Sequence, residues 1–154
     1  MDKLIISKLV ISMREFQKIN CIKEQCVTNV QYLYDCIKMN NLYNLKVKVK
    51  PVIVVSFDKE TKTIICVGGH LIVESDDGTI FEPSYDIFRL KNKTYFYNIK
   101  NLMDSYDNEL KTDIKTIICL FIRFVKLAEQ INNGELVICD NEFYNNQADY
   151  IEKI

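Results

Sequence analysis

The chain has one histidine, no tryptophan and only two alanines, Ala128 and Ala148. With a single imidazole, any chemistry that uses a histidine base has one address, His70. There is no excess charge of one sign either: twenty basic and twenty-one acidic residues leave a formal net charge of -1. No long basic block stands out, and Lys46-Val47-Lys48-Val49-Lys50 alternates like the solvent face of a strand. Phosphate binding leaves a basic footprint, so nucleic acid is not an expected partner. The longest apolar run, Ile117 to Val125, is interrupted by Arg123 and is too short to span a bilayer, so no membrane association is expected. The N-terminus has an early acid (Asp2), a lysine within its apolar stretch and no small-residue cleavage site, which argues against a signal peptide. Neither an internal repeat nor a linker is visible.

What is present describes an ordinary globular chain. At 154 residues, one domain spanning 1–154 buries about two-thirds of its unfolded surface. Hydrophobic residues make up 48% and charged residues 27%, which excludes wholesale disorder. Without secretion, Cys21, Cys26, Cys36, Cys66, Cys119 and Cys139 are expected as reduced thiols in an intracellular, cytoplasmic protein. Abundant Lys, Asn, Ile and Tyr match the bias of AT-rich genomes, such as those of large DNA viruses and some protists. A host cell or a virion is one setting compatible with that origin.

The apolar spacing orders the elements. Leu4, Ile5, Leu9, Val10, Met13 and Phe16 recur near a helical period, and Gln17 to Gln25 reads as a loop. Cys26, Val30, Leu33 and Ile37 mark an amphipathic helix from Cys26 to Met39, with its cysteine in the first turn. Lys46 to Phe57, Thr63 to Glu74 and Thr79 to Glu82 read as strands, the last two joined at Asp76-Asp77-Gly78. Past Pro83 the chain reads as irregular, with a short strand or helix within Tyr95 to Tyr106. Asn108 to Asn132 is the strongest helix, its apolar face including Leu110, Ile117 and Phe121. The tail from Gly134 to Ile154 shows no clear pattern. The expected class is α+β, an antiparallel β-sheet packed against helices.

One constellation carries chemistry. With a Ser75-Asp76-Asp77 loop, residues pair as 74 with 78, 72 with 80 and 70 with 82. His70 and Glu82 then lie opposite one another, Cβ atoms roughly 5 Å apart. A carboxylate there accepts the Nδ1 proton and fixes the imidazole tautomer; Asp86 is the alternative acid. Cys26 at a helix start gains thiolate character from free N–H groups and the helix dipole. The same N–H groups can hold an oxyanion, with Gln25 or Asn20 completing the hole. Asn29, one turn on, faces the same side and can position His70 or a substrate.

The order of a cysteine at a helix start, strands, Gly68-Gly69-His70, a glycine turn and Glu82-Pro83-Ser84 resembles the papain-like fold, most closely its transglutaminase-like branch. Cys26-Val27-Thr28-Asn29 also resembles a Cys-x-x-Asn signature in small viral and phage proteins of that type. The resemblance covers roughly residues 20–88, with a helical extension over about 95–154. It implies nucleophile Cys26, base His70 and orienter Glu82 in a cysteine protease or related thiol hydrolase or acyl transferase. The substrate is then a peptide or protein amide, isopeptide or thioester, and no cofactor is required. This chain departs from the pattern in three places: Leu71-Ile72 replaces the aromatic after the histidine, Glu82 replaces aspartate, and no glycine precedes Cys26.

Blander readings stand beside these. Cys21, Cys36, Cys66, Cys119 and Cys139 read as small core residues, and Tyr95-Phe96-Tyr97 as packing. A zinc site from Cys21, Cys26, Cys66 and His70 fails on spacing, since a strand separates Cys66 and His70 by more than about 10 Å. No metal is expected. The rival function is a catalytically inactive interaction module on the same scaffold, a viral protein that binds a host partner.

Overall fold

A computed structural model describes residues 2–40, 45–106, 113–137 and 141–153. Two long strands form its centre: β1 (Val47–Asp58) and β2 (Thr63–Ser75), paired antiparallel throughout their length. β3 (Ile80–Phe81) and β4 (Thr94–Phe96) complete an antiparallel sheet of order β3-β2-β1-β4. Alternation explains the first half of β1, where Val47 and Val49 are buried and Lys48 is exposed. From Val52 to Ser56 every residue is buried, so both faces of the sheet are covered there.

Among the described residues six helices surround the sheet: α1 (Asp2–Ile19), α2 (Cys26–Met39), α3 (Tyr85–Phe88), α4 (Ile99–Tyr106), α5 (Ile114–Asn132) and α6 (Asn141–Lys153). The class is therefore α+β. α1 buries Ile6, Val10, Met13, Phe16 and Gln17, a stripe at three- and four-residue steps. Leu4 and Ile5, expected on that stripe, are instead 58% and 42% exposed. α2 buries Val27, Val30, Leu33, Tyr34 and Ile37 against α1, β1, β2 and the end of α5. A second apolar cluster joins Ile53 and Val55 of β1 to Leu102 of α4 and Ile117 of α5.

Gly69 permits the closest of these contacts. A Cβ built there would lie 2.5 Å from Cδ2 of Phe124 on α5, inside any normal contact distance. Neighbouring strand residues point to opposite faces, so the strand that receives α5 at Gly69 turns His70 the other way.

The structure corrects several sequence expectations. The β2–β3 hairpin pairs Glu74 with Ile80 and Val73 with Phe81, not 74 with 78. Its loop closes through Ser75 N to Thr79 O (3.0 Å), with Gly78 at φ 86°, which moves the register by two residues. A shift of two preserves the faces, whereas a shift of one would reverse them. α3 occupies the segment read as irregular, β4 overlaps the start of Tyr95 to Tyr106 and α4 lies within it, and α6 occupies the unpatterned tail. α5 begins after an N-cap at Asp113, whose side chain accepts from Lys115 N at 3.0 Å; the expected start at Asn108, with Leu110, lies outside the described residues. None of the described helices is long and apolar enough to cross a membrane.

Candidate active site

Cys26 is the first residue of α2, where the first-turn N–H groups have no intrahelical partners. Gln25 occupies the cap position without a side-chain cap; its carbonyl receives Asn29 N at 2.9 Å. His70 stands in β2 directly opposite Val52 and is 1% exposed. Glu82 follows β3 and is 5% exposed. The structure brings these three side chains together. His70 Nε2 lies 2.6 Å from Glu82 Oε1, and the Cys26 side chain lies close enough to the same imidazole to help push its pKa up.

Two details differ from the sequence reading. Glu82 holds Nε2, not Nδ1. Glu82 also reaches His70 diagonally, because the observed register places residue 82 beyond the end of β3. The longer glutamate arm spans that offset.

Each oxygen of the acid is occupied. Oε1 accepts from His70 and from the Tyr95 hydroxyl. Oε2 accepts from Ser84 N at 3.2 Å. Pro83 has no N–H, so Ser84 offers the first backbone donor after the acid. Ser84 Oγ in turn accepts from Asn29 Nδ2 at 3.1 Å. A closed circuit therefore runs from Cys26 through His70, Glu82 and Ser84 to Asn29, one turn along the helix that carries Cys26. Buried Gln17 fixes the corner from outside, donating to Pro83 O at 2.6 Å and accepting from Tyr85 N at 2.8 Å.

Burial pushes the His70 imidazole down, but the Glu82 carboxylate and the hydrogen bonds with Cys26 and Glu82 outweigh it. The net displacement is upward, to about 10. Imidazolium and helix N-terminus together put positive charge beside the Cys26 side chain. Burial, then the Glu82 carboxylate, pushes the Tyr95 phenol up, so it remains a proton donor. Arg14 donates to Glu82 O at 3.4 Å and lies over the Phe88 ring at 3.7 Å. Lys93 faces the same ring at 5.3 Å. Burial lowers both cations, and the Glu82 charge opposes the shift.

The remaining expected residues lie elsewhere or have other partners. Asp86 Oδ2 accepts from Glu24 N at 3.1 Å and braces the α1–α2 loop, so it is not the acid on His70. Asn20 spends its amide N–H on Phe16 O at 2.8 Å. Gln25 Oε1 accepts from Thr28 Oγ1 at 3.3 Å. Asn29 is buried and braces Ser84; its Oδ1 has no hydrogen-bond partner. Among the other thiols, Cys21 and Cys119 are exposed and Cys36 and Cys66 half-buried, so none of these four is the core residue expected. Cys139 lies outside the described residues. Burial pushes the Cys36 and Cys66 thiols up. Among the described residues no group of three or more His, Cys, Asp or Glu is placed to hold a metal ion.

Sequence reasoning missed Tyr95, Ser84, Arg14 and Gln17. The Glu82-Pro83-Ser84 order carried a signal for Ser84, since the proline forces the carboxylate to the next N–H. Nothing local marked Tyr95, which reaches the acid through the three-residue strand β4. No protein-family model, curated protein or solved structure matches this chain.

Proposed function

We propose that this protein is a cysteine hydrolase or acyl transferase of papain-like, transglutaminase-like type. It acts on an amide, isopeptide or thioester bond of a peptide or protein. The observation that carries the reading is the imidazole of His70, shared between the Cys26 thiol and a buried carboxylate. That is the arrangement of nucleophile, base and orienter used in thiol catalysis.

The reaction follows from the placement. Cys26 sulfur attacks the carbonyl carbon and a C–S bond forms. The oxyanion is held by the Cys26 N–H, with the side-chain amide of the preceding residue, Gln25, as a second donor. His70 gives its proton to the departing amine or thiol as the scissile bond breaks. Water or an acceptor amine then attacks the thioester, with His70 taking its proton, and the free enzyme returns. Glu82 keeps the ring in one orientation throughout. Reduced thiols suit a cytoplasmic setting, in keeping with the viral resemblance.

The test is iodoacetamide alkylation near neutral pH, resolved cysteine by cysteine with mass spectrometry. Cys26 is half-buried while Cys21 and Cys119 are exposed, so accessibility alone ranks Cys26 below them. The reading expects Cys26 to react about tenfold faster than either, and His70→Ala to abolish the advantage. Equal or slower reaction at Cys26, unchanged in His70→Ala, would sink it. A second reading, a non-catalytic interaction module on the same scaffold, is favoured by the exposed apolar residues Leu4, Ile5 and Ile11 on α1.

A further inference from the structure

We propose that Tyr95 is a positioning residue for this site: its hydroxyl shares Glu82 Oε1 with His70 and limits how tightly the acid holds the imidazole. Its catalytic meaning rests on the hydrolase reading; its effect on His70 does not.

The sheet sets the arrangement. β1 pairs Val54 with Tyr95 on one side and Val52 with His70 on the other, so both rings rise from one face across β1. The rings are close to parallel, 8° apart, with centroids separated by 6.3 Å. Glu82 bridges them, its Oε1 accepting from His70 Nε2 and from the Tyr95 hydroxyl. A second donor on one carboxylate oxygen withdraws charge from it and weakens its pull on the other proton. A general acid must release its proton to the leaving group, and an acid partner that holds the imidazolium too tightly slows that step. Tyr95 moderates that hold. The charged and titratable groups around the pair are Cys26 of α2, Tyr95 of β4, and Arg14 and Lys93, both facing Glu82.

The single histidine makes the test direct, because its ring signals in proton NMR need no assignment. Wild type, Tyr95→Phe and Tyr97→Phe are titrated without substrate, and each fold is checked by its melting curve. Tyr97 is the control, since its hydroxyl bonds Glu74. Tyr95→Phe should raise the His70 midpoint by about half a unit or more and displace the pH profile of Cys26 alkylation in the same sense. Tyr97→Phe should change neither. In a Glu82→Gln background, Tyr95→Phe should add no further shift, because Tyr95 acts through the acid. An unchanged or lowered midpoint in Tyr95→Phe, or the same shift without Glu82, overturns the role. If Tyr95→Phe does not fold, protein grown with 3-fluorotyrosine supplies a stronger donor at the same place. The midpoint should then fall, and no movement counts against the role. Failure of the hydrolase reading appears separately, as an unreactive Cys26 in the wild type.

Discussion

His70 Nε2 lies 2.6 Å from Glu82 Oε1, with both side chains almost fully removed from water. A buried charge survives when it is paired and its remaining hydrogen-bonding positions are filled. Here Ser84 N and the Tyr95 hydroxyl fill the carboxylate, and Cys26 couples to the imidazole. The pair ties β2 to the segment after β3, so one contact serves both the fold and the site.

The first prediction is a pH dependence of stability. His70 titrates near its ordinary 6.5 when unfolded and at about 10 in the fold. Between those values the folded chain binds more protons than the unfolded one, so stability falls as pH rises. The contribution is complete below about 6.5 and lost on passing about 10; it amounts to a few kcal/mol. Urea unfolding at pH 6, 8 and 10 should show this slope, and His70→Gln should flatten it. A wild type equally stable at pH 6 and pH 10 contradicts the assignment.

The second prediction concerns the acid. Glu82→Gln keeps the shape but removes the charge that holds His70 protonated. The variant should lose about 1–3 kcal/mol, less than a broken pair that cannot neutralise itself, because His70 can shed its proton. The His70 midpoint should fall, since only Cys26 then opposes the effect of burial. A midpoint that remains near 10 in Glu82→Gln would assign the upward shift to some other group.

How much of this could be read from the chain depends on the distance each signal has to travel. The helix that starts at Cys26 and the two long strands were legible because their periodicity is local and their faces are buried. His70 and Glu82 were legible as partners because a glycine turn joins them, although the turn conformation, and with it the register, was off by two. The acid survived that error because the shift preserved the face. Tyr95 was not legible, since β4 is three residues long and its place beside β1 comes from tertiary pairing. α6 escaped notice because its apolar residues, Phe143, Tyr144, Ala148, Tyr150 and Ile151, follow no clear stripe among polar ones. It is tied to the fold by Phe143, edge-on, and Tyr150, tilted, against Phe16 of α1, and by Tyr144 against Tyr32 of α2.

The third prediction tests the circuit that returns from the acid to the nucleophile helix. Asn29 Nδ2 donates to Ser84 Oγ at 3.1 Å, and both residues are buried. Asn29→Ala and Ser84→Ala should each destabilise by about 1–3 kcal/mol, since each leaves a buried group without its partner. The double variant should cost about 0.5–3 kcal/mol less than the sum. Strict additivity in urea unfolding would mean that the two residues do not act together.

The fourth prediction separates two adjacent glycines. A Cβ at Gly69 would meet Phe124 Cδ2 at 2.5 Å, whereas one at Gly68 would find nothing within 4 Å. Gly69→Ala should therefore push α5 away from β2 and cost about 1–3 kcal/mol by overpacking. Gly68→Ala adds a side chain in open space and restricts the unfolded chain, so it should be neutral or stabilising by about 0.5 kcal/mol. Because His70 is the next residue in the strand, displacement at position 69 should also disturb the imidazole, visible as a shift of its ring proton. Shortening the obstructing ring with Phe124→Leu in the Gly69→Ala background should recover part of the loss. Equal unfolding midpoints for Gly68→Ala and Gly69→Ala would show that α5 does not rest on β2 at this point.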